Sequence, residues 1–372
     1  MKRRPLSHEP RFALNAICPY FTMFPLEFPL RILSRHRTAR VVFDPFCGRG
    51  TTLFAARVRG QRGVGIDVSP VAVAISRAKL STASVQDTLA LARRLIKRSS
   101  DPKVPDGEFW DRAFHRDTLR DLCAVRDSLL RQRTRTAESV LLCGAILGVL
   151  HGPKTDSESY LSNQMPRTFA PKPAYAAAFW RKRRLNPPRI RVLHAIERKL
   201  KLLELSLARA KPAQATDVIL GDSSKKSAFR NAPRRIDVVV TSPPYYGMRT
   251  YVQDQWLRNW FLGGSPSVDY SPGEAIPSSS PADFAEALGH TWSNLAVRTR
   301  DELHLYVRFG AIPSRAVDAE ELLLNSLESS GIKWRVVSVR NARNADAGKR
   351  QMRHMQCESK AVDELDLHAV AS

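Results

Sequence analysis

Ser242-Pro243-Pro244-Tyr245 follows the apolar run Ile236-Asp237-Val238-Val239-Val240-Thr241. Apart from Asp237 that run is β-branched, which suits a buried strand. Two consecutive prolines then end the hydrogen-bonded ladder, because neither carries a backbone N–H. The strand tip keeps a serine hydroxyl, free carbonyl oxygens and an aromatic ring. Such a set can hold a flat amine with two hydrogens to donate, as the exocyclic amine of a nucleobase has. Taken alone, a strand closed by an ordinary Pro-Pro turn would look the same.

Far upstream, Val41-Val42-Phe43-Asp44-Pro45-Phe46-Cys47-Gly48-Arg49-Gly50-Thr51-Thr52 repeats the design. An apolar strand ends at an acid, Gly48 and Gly50 follow in a loop, and Leu53-Phe54-Ala55-Ala56 opens at helical period. The glycines allow close backbone approach to a ligand, and helix-opening amides face it. A second strand, Gly63-Val64-Gly65-Ile66, ends at Asp67. An acid about 20 residues beyond a glycine loop binds ribose hydroxyls in nucleotide-type α/β folds. The third glycine of the dinucleotide fingerprint and the Walker lysine are both missing, so an adenosine-containing ligand without phosphates fits better.

With DPFCGRGTT, GIDVSP and TSPPY in this order, the chain resembles the S-adenosylmethionine-dependent DNA amino-methyltransferases. The SPPY form resembles the cytosine-N4 members, whereas adenine-N6 relatives more often carry DPPY or NPPY. The likeness runs over residues 15–80 and 215–262, is weaker over 281–356, and is absent between. It implies a Rossmann-like class I methyltransferase fold of the α/β class. Such a fold has a mostly parallel twisted sheet with helices on both faces, here with a largely helical insertion. It implies S-adenosylmethionine as cofactor, with Asp44, Phe46, Gly48, Gly50, Thr51 and Asp67 around it. Tyr20 and Phe24, in the element before the first strand, lie against its methionine end, and Asp222 accepts from its adenine amine. An ordinary turn opened by Asp222 before Ser223-Ser224 is the alternative for that acid. The catalytic set is Ser242, Pro243, Pro244 and Tyr245, with Tyr245 stacking on a base flipped out of double-stranded DNA. Carbon-5 methylation would need a Pro-Cys pair and a Glu-Asn-Val element, and neither occurs.

Composition points the same way. The 372 residues carry a formal net charge of +23, which favours a polyanionic partner. Five cysteines without a CxxC pair argue against a zinc site or a disulfide framework, and no metal is expected. The basic start lacks the long apolar stretch of a signal peptide, and no segment is long enough to span a membrane. The expectation is a soluble bacterial or phage-encoded protein acting on DNA in the cytoplasm. No nuclease motif is visible, so in a restriction–modification pair the endonuclease would be another chain.

Four segments follow: 1–82 for the cofactor, 83–216 as a basic helical insertion, 217–356 for catalysis, and 357–372 as a flexible tail. The insertion is far too long for a connecting loop, and its helices are expected near 85–98, 108–132, 137–150 and 189–209. Within it, 151–191 shows neither helical nor strand period, and interleaves aromatics with bases. Arg167, Lys172, Arg181, Lys182, Arg183 and Arg184 are the candidate DNA contacts, with Trp180 among the rings available to bases. A solvated basic face over the core is the alternative. Three other functions stay open: an adenine-N6 enzyme, an RNA base methyltransferase, and a catalytically silent DNA-binding subunit.

Overall fold

Among the described residues, seven strands form one sheet in the order β3-β2-β1-β4-β5-β7-β6. They are β1 (Val41–Asp44), β2 (Arg62–Asp67), β3 (Asp217–Leu220), β4 (Val238–Thr241), β5 (Leu303–Gly310), β6 (Trp334–Asn341) and β7 (Glu364–Ala371). This computed structural model describes residues 9–20, 24–98, 101–153, 160–166, 171–210, 217–247, 252–270, 280–298, 302–310, 317–342 and 364–371. Neighbouring strands from β3 to β5 pair parallel, while β7 runs antiparallel to both β5 and β6. The result is the mostly parallel, Rossmann-like α/β sheet that was expected.

The chain divides into two compact units. The sheet unit comprises Tyr20–Ser76, Lys211–Thr250 and Glu274–Ser372. Its helices are α1 (Glu27–Leu33), α2 (Thr51–Arg59), most of α3 (Pro70–Leu80), α11 (Pro281–Ala296) and α12 (Ala319–Glu328). Chain order departs from β1 in both directions along the sheet, toward β2 and β3 on one side and β4 and β5 on the other. Right-handed crossovers then put α2 on one face and α11 on the opposite one. The point of reversal lies between β1 and β4, where open α/β sheets form a crevice at the carboxyl ends of their strands. β4 is buried along its whole length, as a central strand covered on both faces must be.

The helical unit comprises Met1–Pro19, Arg77–Ala210 and Tyr251–Gly273. It takes in 83–210 of the expected 83–216 insertion and two further segments, one from the start of the chain and one from beyond the catalytic strand. Its helices are α4 (Val85–Arg98), α5 (Glu108–Ala113), α6 (Arg116–Leu130), α7 (Ala137–Val149), α8 (Pro173–Lys182), α9 (Val192–Ala208) and α10 (Trp256–Phe261). The single helix expected near 108–132 is two, broken where Phe114 and His115 turn extended and the His115 ring caps the Asp117 amide. Trp256, Trp260 and Phe261 are buried, with the Trp260 ring 4.5 Å from Trp110. Both rings belong to this unit's core, and the Trp256 indole N–H donates to the Pro171 carbonyl at 2.8 Å. Among the described residues, no helix is long and apolar enough to cross a membrane.

Two expectations are corrected. The tail expected to be flexible over 357–372 holds β7, an interior strand paired along its full length with β5. Leu365, Leu367, Ala369 and Ala371 alternate into the core, so burial on one face secures the strand. The stretch expected to lack helical period contains α8. Pro173 starts that helix at a position where no N–H is needed. Its inner face is Ala176, Ala177 and Trp180, and alanines write a faint apolar stripe.

Candidate active site at the carboxyl edge of the sheet

β1 and β4 lie side by side, with Phe43 opposite Val239, so Asp44 and Ser242 leave the same edge of adjacent strands. The two tips are joined directly: the Thr241 hydroxyl donates to Asp44 Oδ1 at 2.6 Å. The Phe46 amide donates to the same oxygen at 3.1 Å. Asp44 is completely buried, and its Oδ2 has no hydrogen-bond partner among the described residues. Burial pushes this carboxyl up to about 7, against the opposing pull of the Thr241 hydroxyl. The Thr52 hydroxyl adds a second opposing pull, and Oδ2 is the oxygen with bonding capacity left.

The loop after β1 is held from both sides. Gly48 and Gly50 adopt left-handed backbone at φ 49° and 73°. A side chain on Gly50 would meet Ser76 Oγ at 2.6 Å. That same hydroxyl donates to the Gly48 carbonyl at 2.8 Å. Cys47 is buried, and its side chain fills the space a side chain on Gly65 would need, so it packs rather than reacts. Asp67 accepts the Gly48 amide and the Ser69 amide, both at 2.8 Å, one on each oxygen. Each oxygen keeps a second lone pair for a ligand hydroxyl. Burial raises the Asp67 carboxyl above its ordinary range, opposed by those two amides. Thr51, first in α2, is buried, and the Phe46 ring meets Trp292 edge-on at 6.1 Å.

Ser242 is half-buried and Pro243 buried immediately beyond β4. Pro244 is half-buried. Tyr245 is fixed rather than free. Its hydroxyl donates to Glu364 Oε1 at 2.7 Å, and its ring meets Phe309 edge-on at 6.0 Å. Burial and the Glu364 carboxylate push this phenol well above its ordinary value. Asp222 opens a turn: its Oδ1 accepts the Ser224 amide at 3.0 Å and the Ser224 hydroxyl at 2.7 Å. Lys225 stands 3.5 Å from the other oxygen. This is the turn that its sequence context allowed as the alternative. Phe24 meets Phe28 edge-on at 5.5 Å, and Tyr20 is half-buried.

The candidate DNA contacts fall in the helical unit and fare unevenly. Trp180 is completely buried, and its indole N–H donates to the Gln164 carbonyl at 3.0 Å, so it offers no ring to a base. Arg181 pairs with Glu108 at 2.8 Å. Lys172, Lys182, Arg183 and Arg184 are exposed, with Arg183 over the Phe179 ring at 4.0 Å. Arg167 lies outside the described residues.

Two participants were not singled out from sequence. Thr241 links the two strand tips, and only the β1–β4 adjacency reveals it. Glu364 anchors Tyr245 from a strand far along the chain, where only the alternation of β7 offered a signal.

No protein-family model matches the chain. Over 99 residues the sequence is 28% identical to the type II methyltransferase M.MjaII of Methanocaldococcus jannaschii. That stretch is 26% of this chain and 19% of the relative, so the chain spans about a fifth of the relative's length. Among solved structures, the rRNA methyltransferase aviRa from Streptomyces viridochromogenes superposes with a TM-score of 0.34 at 13% identity, covering 95% of this chain and 87% of that one. A second structure of the same protein gives a TM-score of 0.35 at 12% identity, covering 99% and 95%. Superpositions at these scores add nothing to what the sheet order already establishes.

Proposed function

We propose that this chain is an S-adenosylmethionine-dependent methyltransferase acting on the exocyclic N4 amine of cytosine in double-stranded DNA. The observation that carries the reading is the Thr241–Asp44 hydrogen bond. It couples the end of the cofactor-type strand to the end of the strand bearing Ser-Pro-Pro-Tyr, at the point where the sheet reverses.

The residues present fit the cofactor. The left-handed loop at Gly48 and Gly50 brings backbone close to a ligand. Asp67 retains lone pairs for ribose hydroxyls, and the orphaned Asp44 Oδ2 awaits a donor. S-adenosylmethionine supplies a methyl group on a positively charged sulfur, already strongly electrophilic. The protein's task lies on the amine. The lone pair of an exocyclic amine is delocalised into its ring and nucleophilic only when localised. Ser242 Oγ and the Pro243 carbonyl accept hydrogen bonds from its two N–H groups, which favours the localised form and the positive charge that builds as the bond forms, and the methylated nitrogen then sheds one proton to water. The two prolines hold those acceptors in place without spending a backbone donor. Tyr245, tethered to Glu364, serves as a fixed wall for a flipped base rather than a mobile side chain.

DNA from cells producing the protein, digested to nucleosides and analysed by mass, tests the reading. N4-methylcytosine is expected. N6-methyladenine would move the target to adenine, and methylated bases confined to RNA would replace DNA as the substrate.

A further inference from the structure

The sheet unit carries a second concave feature that the proposed chemistry does not use. Along β5, Leu303, Leu305, Val307 and Phe309 face the core with α11 and α12. His304, Tyr306 and Arg308 therefore face the other way, joined by His368 and Asp366 of β7. There, α1, β5, β7 and β6 line a cleft of about 440 Å³. Arg31, Arg35, Arg308 and Arg340 all contribute to its walls.

The charges in this cleft do not balance. Asp366 is the only carboxylate among the described residues that line it. It is already engaged, accepting from Arg308 at 2.7 and 2.9 Å and from Arg31 at 3.0 Å. Arg35 and Arg340 have no carboxylate partner among the described residues, and both are exposed. The Arg308 side chain is 5% exposed, and its Nη1 is buried with no hydrogen-bond partner among the described residues. A buried guanidinium nitrogen left unpaired is costly, and an incoming anion relieves that cost. The neighbouring histidines supply no negative charge, being neutral or positive. Burial first, then neighbouring histidines and arginines, holds His368 down at about 4 and lowers His36.

The position of the cleft narrows the choice of anion. Arg308 and Arg340 flank Asp366 in register near the carboxyl ends of β5 and β6. Two residues before Asp366, Glu364 holds the Tyr245 hydroxyl. Arg308 and Arg340 thus lie toward the same edge as the candidate catalytic tetrapeptide, in a chain of net charge +23. Guanidinium groups match the oxygen geometry of phosphate in a forked pair.

We propose that this cleft binds backbone phosphates of the nucleic-acid substrate, with Arg35 and Arg340 meeting the phosphates and Arg31 and Arg308 supplying the surrounding field. The proposal rests on the nucleic-acid reading above. Its test is the affinity of wild type and the Arg35→Ala/Arg340→Ala double variant for a DNA duplex across a salt series. Both side chains are exposed, so thermal unfolding of the variant should match wild type. The slope of log affinity against log salt should flatten by roughly 0.9 for each phosphate that the variant no longer neutralises. An unchanged slope overturns the cleft assignment. So does inorganic phosphate alone saturating wild type but not the variant, with equal DNA slopes, which would make the cleft a small-anion site. Labelled methyl transfer by wild type, measured in parallel, reports the enzyme reading separately. Active wild type with an unchanged variant slope sinks the cleft alone, whereas a flattened slope in an inactive protein supports the cleft and sinks the methyltransferase.

Discussion

Asp44 in the sheet unit and Trp180 in the helical unit are both completely buried, and both were candidates for ligand contact. Asp44 keeps one oxygen unpaired, whereas the only polar atom of the Trp180 side chain already donates to the Gln164 carbonyl. The same contrast runs through their neighbours. Asp67 holds two loop amides yet retains acceptor capacity, while Arg181 is taken by Glu108. A buried side chain can serve a ligand only if some of its bonding capacity is left unspent. By that measure the sheet unit keeps capacity in reserve at its strand ends. The helical unit spends Trp180 and Arg181 on itself, and leaves Lys172, Lys182, Arg183 and Arg184 at the surface.

Trp260→Ala probes the self-spent side and should have the largest effect. Removing a ring buried against Trp110 should cost about 3–5 kcal/mol in denaturant unfolding. A variant that still folds should bind S-adenosylmethionine as wild type does, and a matching loss of cofactor affinity would break the contrast. Asp44→Asn probes the reserved side through pH. An unfolded aspartate ionises near pH 4, but the native carboxyl keeps its proton to about 7. Native protein therefore binds more protons across that window, and stability falls as pH rises through it, by about 4 kcal/mol at most. Asparagine should flatten this dependence in melts between pH 4 and 8; an unaltered profile would mean that Asp44 is not the buried acid responsible.

Smaller effects follow at Asp67 and in the basic run. Asp67→Ala removes a charged acceptor and should weaken cofactor binding by about 1.5–3 kcal/mol in calorimetry. Unchanged affinity would take Asp67 out of the site. In the helical unit, neutralising Lys182, Arg183 and Arg184 should each flatten the salt dependence of DNA binding by roughly 0.9 if each meets a phosphate. Arg181→Ala should do less, because its charge is already paired. Four equal effects would show that the Glu108 pair does not matter in solution.

Much of the sheet unit was readable in advance because its signals are local. Val41–Asp44 and Val238–Thr241 are continuous β-branched or apolar runs, and the glycines at 48 and 50 sit where left-handed backbone is needed. What stayed hidden depends on distant partners or weak periods. Glu364 meets Tyr245 only because β7 inserts beside β5, although the alternation of Glu364–Ala371 was visible in the sequence. The alanine face of α8 muted its helical period, so Trp180 passed for an exposed ring. Asp222 both follows a strand and opens a turn in which Ser224 holds one of its oxygens, and the sequence carried both signals.

The central claim is that the Ser242 tip acts on an amine at an edge shared with the cofactor strand. Single-turnover transfer of a labelled methyl group from saturating cofactor to DNA, by wild type and Ser242→Ala, tests it most directly. Wild type is expected to transfer label to cytosine. The variant is expected to do so about 10–1000-fold more slowly, with cofactor affinity and fold intact, because the lost acceptor acts as the amine becomes nucleophilic. Equal rates in the two proteins would contradict it, as would a wild type that transfers no label to any nucleic acid.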